Sequence, residues 1–183
     1  TVFFLILRVF SLYFLAVSLF GLCSRRRPEP AARLRRFAVL IAARNEESCI
    51  AGLIESLRAQ HYPPELVDIW VLPNNCTDRT AEAARRAGAQ VLEMPASVRS
   101  KGAALHTAAK ALLRSARNYD AFCVFDADNE ADPAFLSEMN RALDRTAIVK
   151  SRILAKNRTQ AGISACYEIY FCSANHFLNR ARE

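Results

Sequence analysis

The sequence predicts an α/β fold, a mostly parallel sheet with helices on both faces, preceded by one N-terminal transmembrane helix. Three observations carry this. Short runs of β-favouring apolar residues recur at intervals of roughly 25 to 30 residues. Each is followed by a stretch of helical period, the pattern of parallel strands joined by helical crossovers. Ahead of them lies one long apolar run. The chain has 183 residues, 52% of them hydrophobic, and the roughly 150 left after any membrane segment suffice for one domain with a full core.

The apolar run Val2–Cys23 covers 22 residues. At ~1.5 Å per residue it is long enough for a ~30 Å bilayer core. Arg8 lies about two turns from its start, close enough to snorkel towards the interface or face a partner helix. A cleaved signal peptide is the rival reading, but a basic start and a small-residue cleavage site are both missing. Arg25, Arg26 and Arg27 follow at once, which places the next domain on the cytoplasmic side of a cell (inner) membrane. The organisation expected is a transmembrane helix at 1–23, a basic Arg/Pro/Ala linker at 24–36 beside anionic headgroups, and one domain at 37–183. Because the first residue is Thr, further residues or helices are expected upstream.

Within the domain, Phe37–Ala42 reads as the first core strand, ending in the polar turn Ala43-Arg44-Asn45-Glu46-Glu47. Ile50, Leu53, Ile54 and Leu57 then fall at i, i+3, i+4 and i+7, one apolar stripe of a helix. Pro63 and Pro64 break the chain before a second strand at 67–72. A polar turn from Pro73 to Thr80 leads into an Ala-rich helix that stops at Gly88. A third strand is expected at 90–94, a helix from Ser100-Lys101-Gly102 to about residue 116, and a core strand covered on both faces at 121–125. A helix opened by Pro133 follows, and 147–151 has the composition of one more strand. The stretch 163–182 reads as a buried or interfacial helix rather than a span.

Net charge is +7, of which Arg25, Arg26, Arg27, Arg33, Arg35 and Arg36, less Glu29, supply +5. The excess is local, so a nucleic-acid-binding face is not expected. Six cysteines show neither Cys-x-x-Cys nor zinc spacing and read as free thiols. His61, His106 and His176 have no partners at ligand spacing.

The chemistry concentrates where the fourth strand ends. Val124-Phe125-Asp126-Ala127-Asp128-Asn129 stops an apolar run at two carboxylates one residue apart, which repel each other unless a cation lies between them. The plainer alternative is a pair of solvated turn aspartates, with Asp132 capping the helix that Pro133 opens. Parallel strands bring their carboxyl ends together, and ligands of open α/β sheets bind there. Arg44, Glu46, Asn74, Asp78, Asp126 and Asp128 are therefore expected to meet, with Lys101 from a neighbouring helix start. An acid pair and a lysine at a helix N-terminus suit a nucleoside diphosphate. Gly-rich dinucleotide and P-loop signatures are absent.

Four segments in order, Val39 to Glu47, Asn74 to Thr80, Lys101 to Leu105 and Phe125 to Asn129, resemble glycosyltransferase family 2. The resemblance covers 37 to about 144. It implies the GT-A fold, a nucleotide-sugar donor (a UDP-sugar ahead of a GDP-sugar), Mg²⁺ or Mn²⁺, and transfer with inversion to a lipid-linked, glycan or small acceptor; membrane lipid is the partner expected from the apolar run and the basic linker. Carried over, Ala43, Arg44 and Glu46 line the base pocket, Asn74 belongs to the nucleotide site, facing base or ribose, and Lys101 approaches the nucleotide. Asp126 meets ribose and metal, and Asp128 ligates the metal. Asn74 stands where the family usually has Asp, so the position donates and accepts but carries no charge. The family's general base lies downstream of the metal site, where this chain offers only Glu168 and Glu183, neither in a matching motif. No catalytic base is assigned, and the chain is expected to stop part-way through its domain and to be inactive alone. Two other readings are a sugar-nucleotide pyrophosphorylase, which normally has a Gly-rich loop after its first strand, and a nucleotide-sugar-binding domain without turnover.

Overall fold

The computed structural model describes residues 2–23 and 31–154. Pro30–Val149 forms one compact unit. It contains strands β1 (Phe37–Ala43), β2 (Val67–Pro73), β3 (Gln90–Val91) and β4 (Ala121–Asp126), and helices α2 (Ile50–Arg58), α3 (Thr80–Arg86), α4 (Lys101–Leu113) and α5 (Phe135–Ala142). All pairings are parallel, in the order β3-β2-β1-β4. The expected alternation of strand and helix is thus realised.

β1 is buried along almost its whole length, and its alternate residues feed two cores. Val39, Ile41 and Ala43 pack with Ile50, Leu53, Ile54 and Leu57 of α2 and with Ala83 and Ala84 of α3. Ala38 and Leu40 face the other way, onto Ala108 and Leu112 of α4. Helices therefore cover both faces of the sheet. At the amino end of β1, Phe37 stacks edge-on against Tyr62 at 5.4 Å and packs with Leu136 of α5.

Several expectations change. Among the described residues β4 has one neighbour, β1, and its Val124 is 52% exposed where α4 packs over β1 and β2. β3 is only two residues long; Leu92 N still donates to Val71 O at 2.9 Å, but Pro95 soon ends the extension. Residues 147–151 form no strand. There the Thr146 hydroxyl takes both the N–H and the C=O of Ile148, which is 86% exposed. The stretch 163–182 lies outside the described residues.

Residues 31–36, expected as part of a linker, are bonded to the domain. The Tyr62 hydroxyl accepts from Arg35 N and donates to Arg35 O, both at 2.8 Å. The Arg35 guanidinium reaches Asp144 at 2.8 Å and Asn140 O at 2.9 Å, and Asn140 Nδ2 donates to Arg33 O at 2.7 Å. Bonds from Ala32 N and from Arg35 hold the Asp144 carboxyl below the usual carboxylate range.

α1 (Val2–Cys23) belongs to the other compact unit. A helix occupies the expected position, but among the described residues none is long and apolar enough to cross a membrane, so the expected span is unsupported there.

The two-sided core makes a clear contrast. Leu53→Ala is expected to cost ~2–5 kcal/mol. Val124→Thr, on the open face of β4, is expected to cost less than about 0.5 kcal/mol. Urea denaturation of the two variants measures both, and a large loss for Val124→Thr would contradict the open placement of Val124.

Candidate functional site

Register brings the polar turns together. Ala43 pairs with Pro73 and Ala42 with Asp126, so β1, β2 and β4 end side by side, and Asn74 N donates to Ala43 O at 3.0 Å. Neither polar turn contains glycine. Asn45 and Asn75 instead adopt the left-handed conformation, with φ of 59° and 52°, which asparagine tolerates better than most residues.

The first two turns are joined by a row of hydrogen bonds. Asn45 Oδ1 accepts from Thr77 N at 2.8 Å, Thr80 Oγ1 accepts from Glu46 N at 2.9 Å, and Asp78 Oδ2 accepts from Glu47 N at 3.1 Å. The Glu47 carboxylate answers by accepting from Arg79 N at 3.0 Å and pairing with the Arg79 guanidinium at 2.9 Å. Asp78 also accepts from Thr80 N and from the Thr80 hydroxyl, and the hydroxyl bond is the main reason its carboxyl is held below the usual range. Asp78, expected to meet a ligand, is thus bonded between the turns. Two asparagines following strands in a Gly-free turn are a readable signal for these left-handed positions; for Thr80 the sequence offers none.

Asp126 and Asp128 are both exposed and flank Ala127, which is 4% exposed and packs into the core. Asn129 N donates to Asp126 O at 3.1 Å and closes the turn. Lys101 is the first residue of α4, whose N-terminus is capped by Ser100 Oγ accepting from Ala103 N at 3.2 Å. Its ammonium forms an ion pair with Asp126. Asp128 makes no ion pair among the described residues. Glu46 accepts from the Cys49 thiol at 3.0 Å. Burial, that hydrogen bond and the charges of Glu46 and Asp128 push the thiol up to about 11. Cys123, by burial, is pushed up to about 12. Neither thiol is activated for nucleophilic attack. Cys49, Cys76 and Cys123 are free, as expected.

Of the other expected site residues, Ala43 has a buried side chain and offers its carbonyl, already taken by Asn74 N and the Cys76 thiol. Arg44 is exposed, and Asn74 is buried at the end of β2. The donor set suits a hard divalent cation: two exposed carboxylates on one turn, with no group of three metal-binding side chains among the described residues. Such a set leaves most positions to phosphate and water oxygens, the usual state of Mg²⁺ in nucleotide sites. A cavity of about 310 Å³ lies elsewhere, between α2 and the amino half of β2, and its Gln60, Tyr62 and Gln90 all bond within the protein.

The joined turns give a test of local energetics. Asn45→Ala loses the Thr77 bond and puts a Cβ-bearing residue in the left-handed region, for an expected total of about 2 kcal/mol. Asn45→Gly is expected to cost about half as much, because it keeps the backbone freedom. Equal losses on chemical denaturation would remove the conformational part.

The chain is 28% identical over 108 residues to the probable glycosyltransferase YdaM of Bacillus subtilis (strain 168), covering 55% of this chain and 24% of that protein. It is 40% identical over 43 residues to the beta-monoglucosyldiacylglycerol synthase of Nostoc sp. (strain PCC 7120 / SAG 25.82 / UTEX 2576), covering 24% of this chain and 9% of the synthase. The chain thus spans about a quarter or less of these relatives. Its fold is similar to that of the mannosyltransferase PcManGT from Pyrobaculum calidifontis, solved with GDP-Man and Mn²⁺, with a TM-score of 0.62 and 22% identity over 72% of this chain and 39% of that one. That likeness bears out the GT-A arrangement of the parallel sheet. Residues 38–180 match the model of glycosyl transferase family 2, and with that match spanning most of its length the chain belongs to glycosyltransferase family 2.

Proposed function

We propose that the chain is the nucleotide-sugar-binding part of a membrane-anchored, divalent-metal-dependent, inverting glycosyltransferase. The observation that carries this reading is the Asp126–Asp128 turn beside Lys101, at the carboxyl end of a sheet whose other strand ends hold Arg44, Glu46 and Asn74. On this reading Ala43, Arg44, Glu46 and Asn74 line the base pocket. Asp126 meets the ribose and, with Asp128, holds Mg²⁺ or Mn²⁺. Lys101 brings an ammonium and the N-terminus of a 13-residue helix to the diphosphate, where negative charge grows as the leaving group departs. The cation, when bound, neutralises that same charge. No residue of this chain is assigned as the catalytic base.

The donor is a nucleoside diphosphate sugar. A UDP-sugar is favoured, and a GDP-sugar is the other candidate, GDP-Man being bound by the Pyrobaculum mannosyltransferase. The acceptor is lipid-linked, a glycan or a small molecule, and the name of the Nostoc relative favours a lipid. Anchoring is proposed from the sequence alone, whose apolar run at 2–23 and the arginines that follow it favour a cell (inner) membrane with the domain on the cytoplasmic face.

Asp128→Asn is expected to remove Mn²⁺-dependent binding of UDP and to leave the metal-free melting temperature equal or slightly higher, since one of two crowded carboxylates is gone. At about 100 times its Kd the ligand should stabilise the parent by ~2.7 kcal/mol. Melting curves with and without Mn²⁺ plus UDP measure this, and equal shifts in parent and variant would reduce the pair to a solvated turn. For topology, protease added outside inverted membrane vesicles is expected to digest the domain from residue 37 onward. Protection there would reverse the orientation.

A further inference from the structure

Lys101 stands where its own helix does not want it. It is the first residue of α4, whose first turn carries no acidic side chain, and a cation there opposes the partial positive charge of the helix N-terminus. The cap is supplied by Ser100, so helix stability does not account for the lysine. What its ammonium meets is the carboxylate of Asp126, with which it forms an ion pair.

Asp126, for its part, has reason to hold a cation. It and Asp128 flank Ala127, whose side chain packs into the core, and Asn129 N closes the turn on Asp126 O at 3.1 Å. Two carboxylates are thus kept one residue apart on a closed turn, and a positive charge beside either lessens their repulsion. The pair is open to water, with the Lys101 side chain 47% and the Asp126 side chain 60% exposed. Ion pairs so exposed are weak and are given up readily.

We propose that Lys101 and the divalent cation are rivals for Asp126: the ammonium neutralises the carboxylate pair when no metal does, and passes to the diphosphate when the metal takes Asp126. This rests on the nucleotide reading above and deepens it. A divalent ion brings twice the charge and bonds directly to oxygen, so it displaces an exposed ammonium. The ammonium, on a flexible four-carbon stem, stays within reach of the phosphates that the same ion gathers. Metal and nucleotide then favour each other, because the metal frees the lysine for phosphate and the phosphate draws the lysine off a metal ligand.

The test compares Mn²⁺ alone with UDP. Free Mn²⁺ is followed by electron paramagnetic resonance in titrations of the full chain, of Lys101→Met, and of Arg99→Met, which removes an exposed positive charge two residues earlier. Without nucleotide, Lys101→Met should bind Mn²⁺ about fivefold more tightly than the parent, the upper range for an exposed ion pair. Arg99→Met should stay within about twofold of the parent, since a charge not in contact with the site is screened by salt. With saturating Mn²⁺, calorimetry should show UDP binding about tenfold more weakly to Lys101→Met, a phosphate having lost a charged donor. One substitution thus moves the two affinities in opposite directions. Mn²⁺ binding to Lys101→Met that is unchanged, weaker or undetectable, an equal gain in Arg99→Met, or an unchanged affinity for UDP in Lys101→Met overturns the inference, while UDP binding to the parent keeps the nucleotide reading. Absence of UDP binding to the parent in the presence of Mn²⁺ overturns both.

Discussion

The constraint on which the molecule depends is that β1 has a parallel partner on each side and a helical layer on each face. A strand so placed has no freedom of register, because a slip of one residue would exchange Val39 and Ile41 with Ala38 and Leu40 between two differently shaped cores. With β1 held, Ala43 meets Pro73 and Ala42 meets Asp126. The site is therefore a product of the core: its residues are distant in sequence and share one end of the sheet because the apolar residues behind them have one way to pack.

In front of that core the polar groups divide into two kinds. Asn45, Glu47, Asp78, Arg79 and Thr80 are spent on one another, stiffening the turns after β1 and β2. Asp126 and Asp128 stay exposed on a turn of their own, Lys101 reaches Asp126 from the start of α4, and among the described residues the Glu46 carboxylate is held by a neutral thiol. On the proposed reading, a ligand at this end of the sheet would meet hydrogen-bonded turns on one side and a cluster of adjustable charges on the other. That division suits a base, whose edge is read by fixed hydrogen bonds, and a diphosphate, whose charge tolerates small displacements.

The apolar pattern was the most legible part of the sequence. Ile50, Leu53, Ile54 and Leu57 are all buried as their spacing predicts, and the runs forming β1 and β2 stand out because both faces are covered. The place of β4 beside β1 was not legible. Ala121 to Phe125 has the composition of a central strand, and strand order is set by crossovers that no single run records. Asp78 could not be read either, since an acid in a polar turn looks the same whether it faces a ligand or the N–H groups of the next loop.

The place of β4 also bears on how the domain forms. Phe37 pairs with Val67 across a modest stretch of chain, whereas its pairing with Ala121 closes a loop nearly three times as long. By chain statistics the longer closure costs about 0.9 kcal/mol more entropy. β1, α2, β2 and α3, the locally connected unit, are therefore expected to assemble first and to offer β4 a surface already in place. Asp126 and Asp128 ride on β4, so on that order the carboxylates reach the rest of the cleft only after the longer of the two closures around β1.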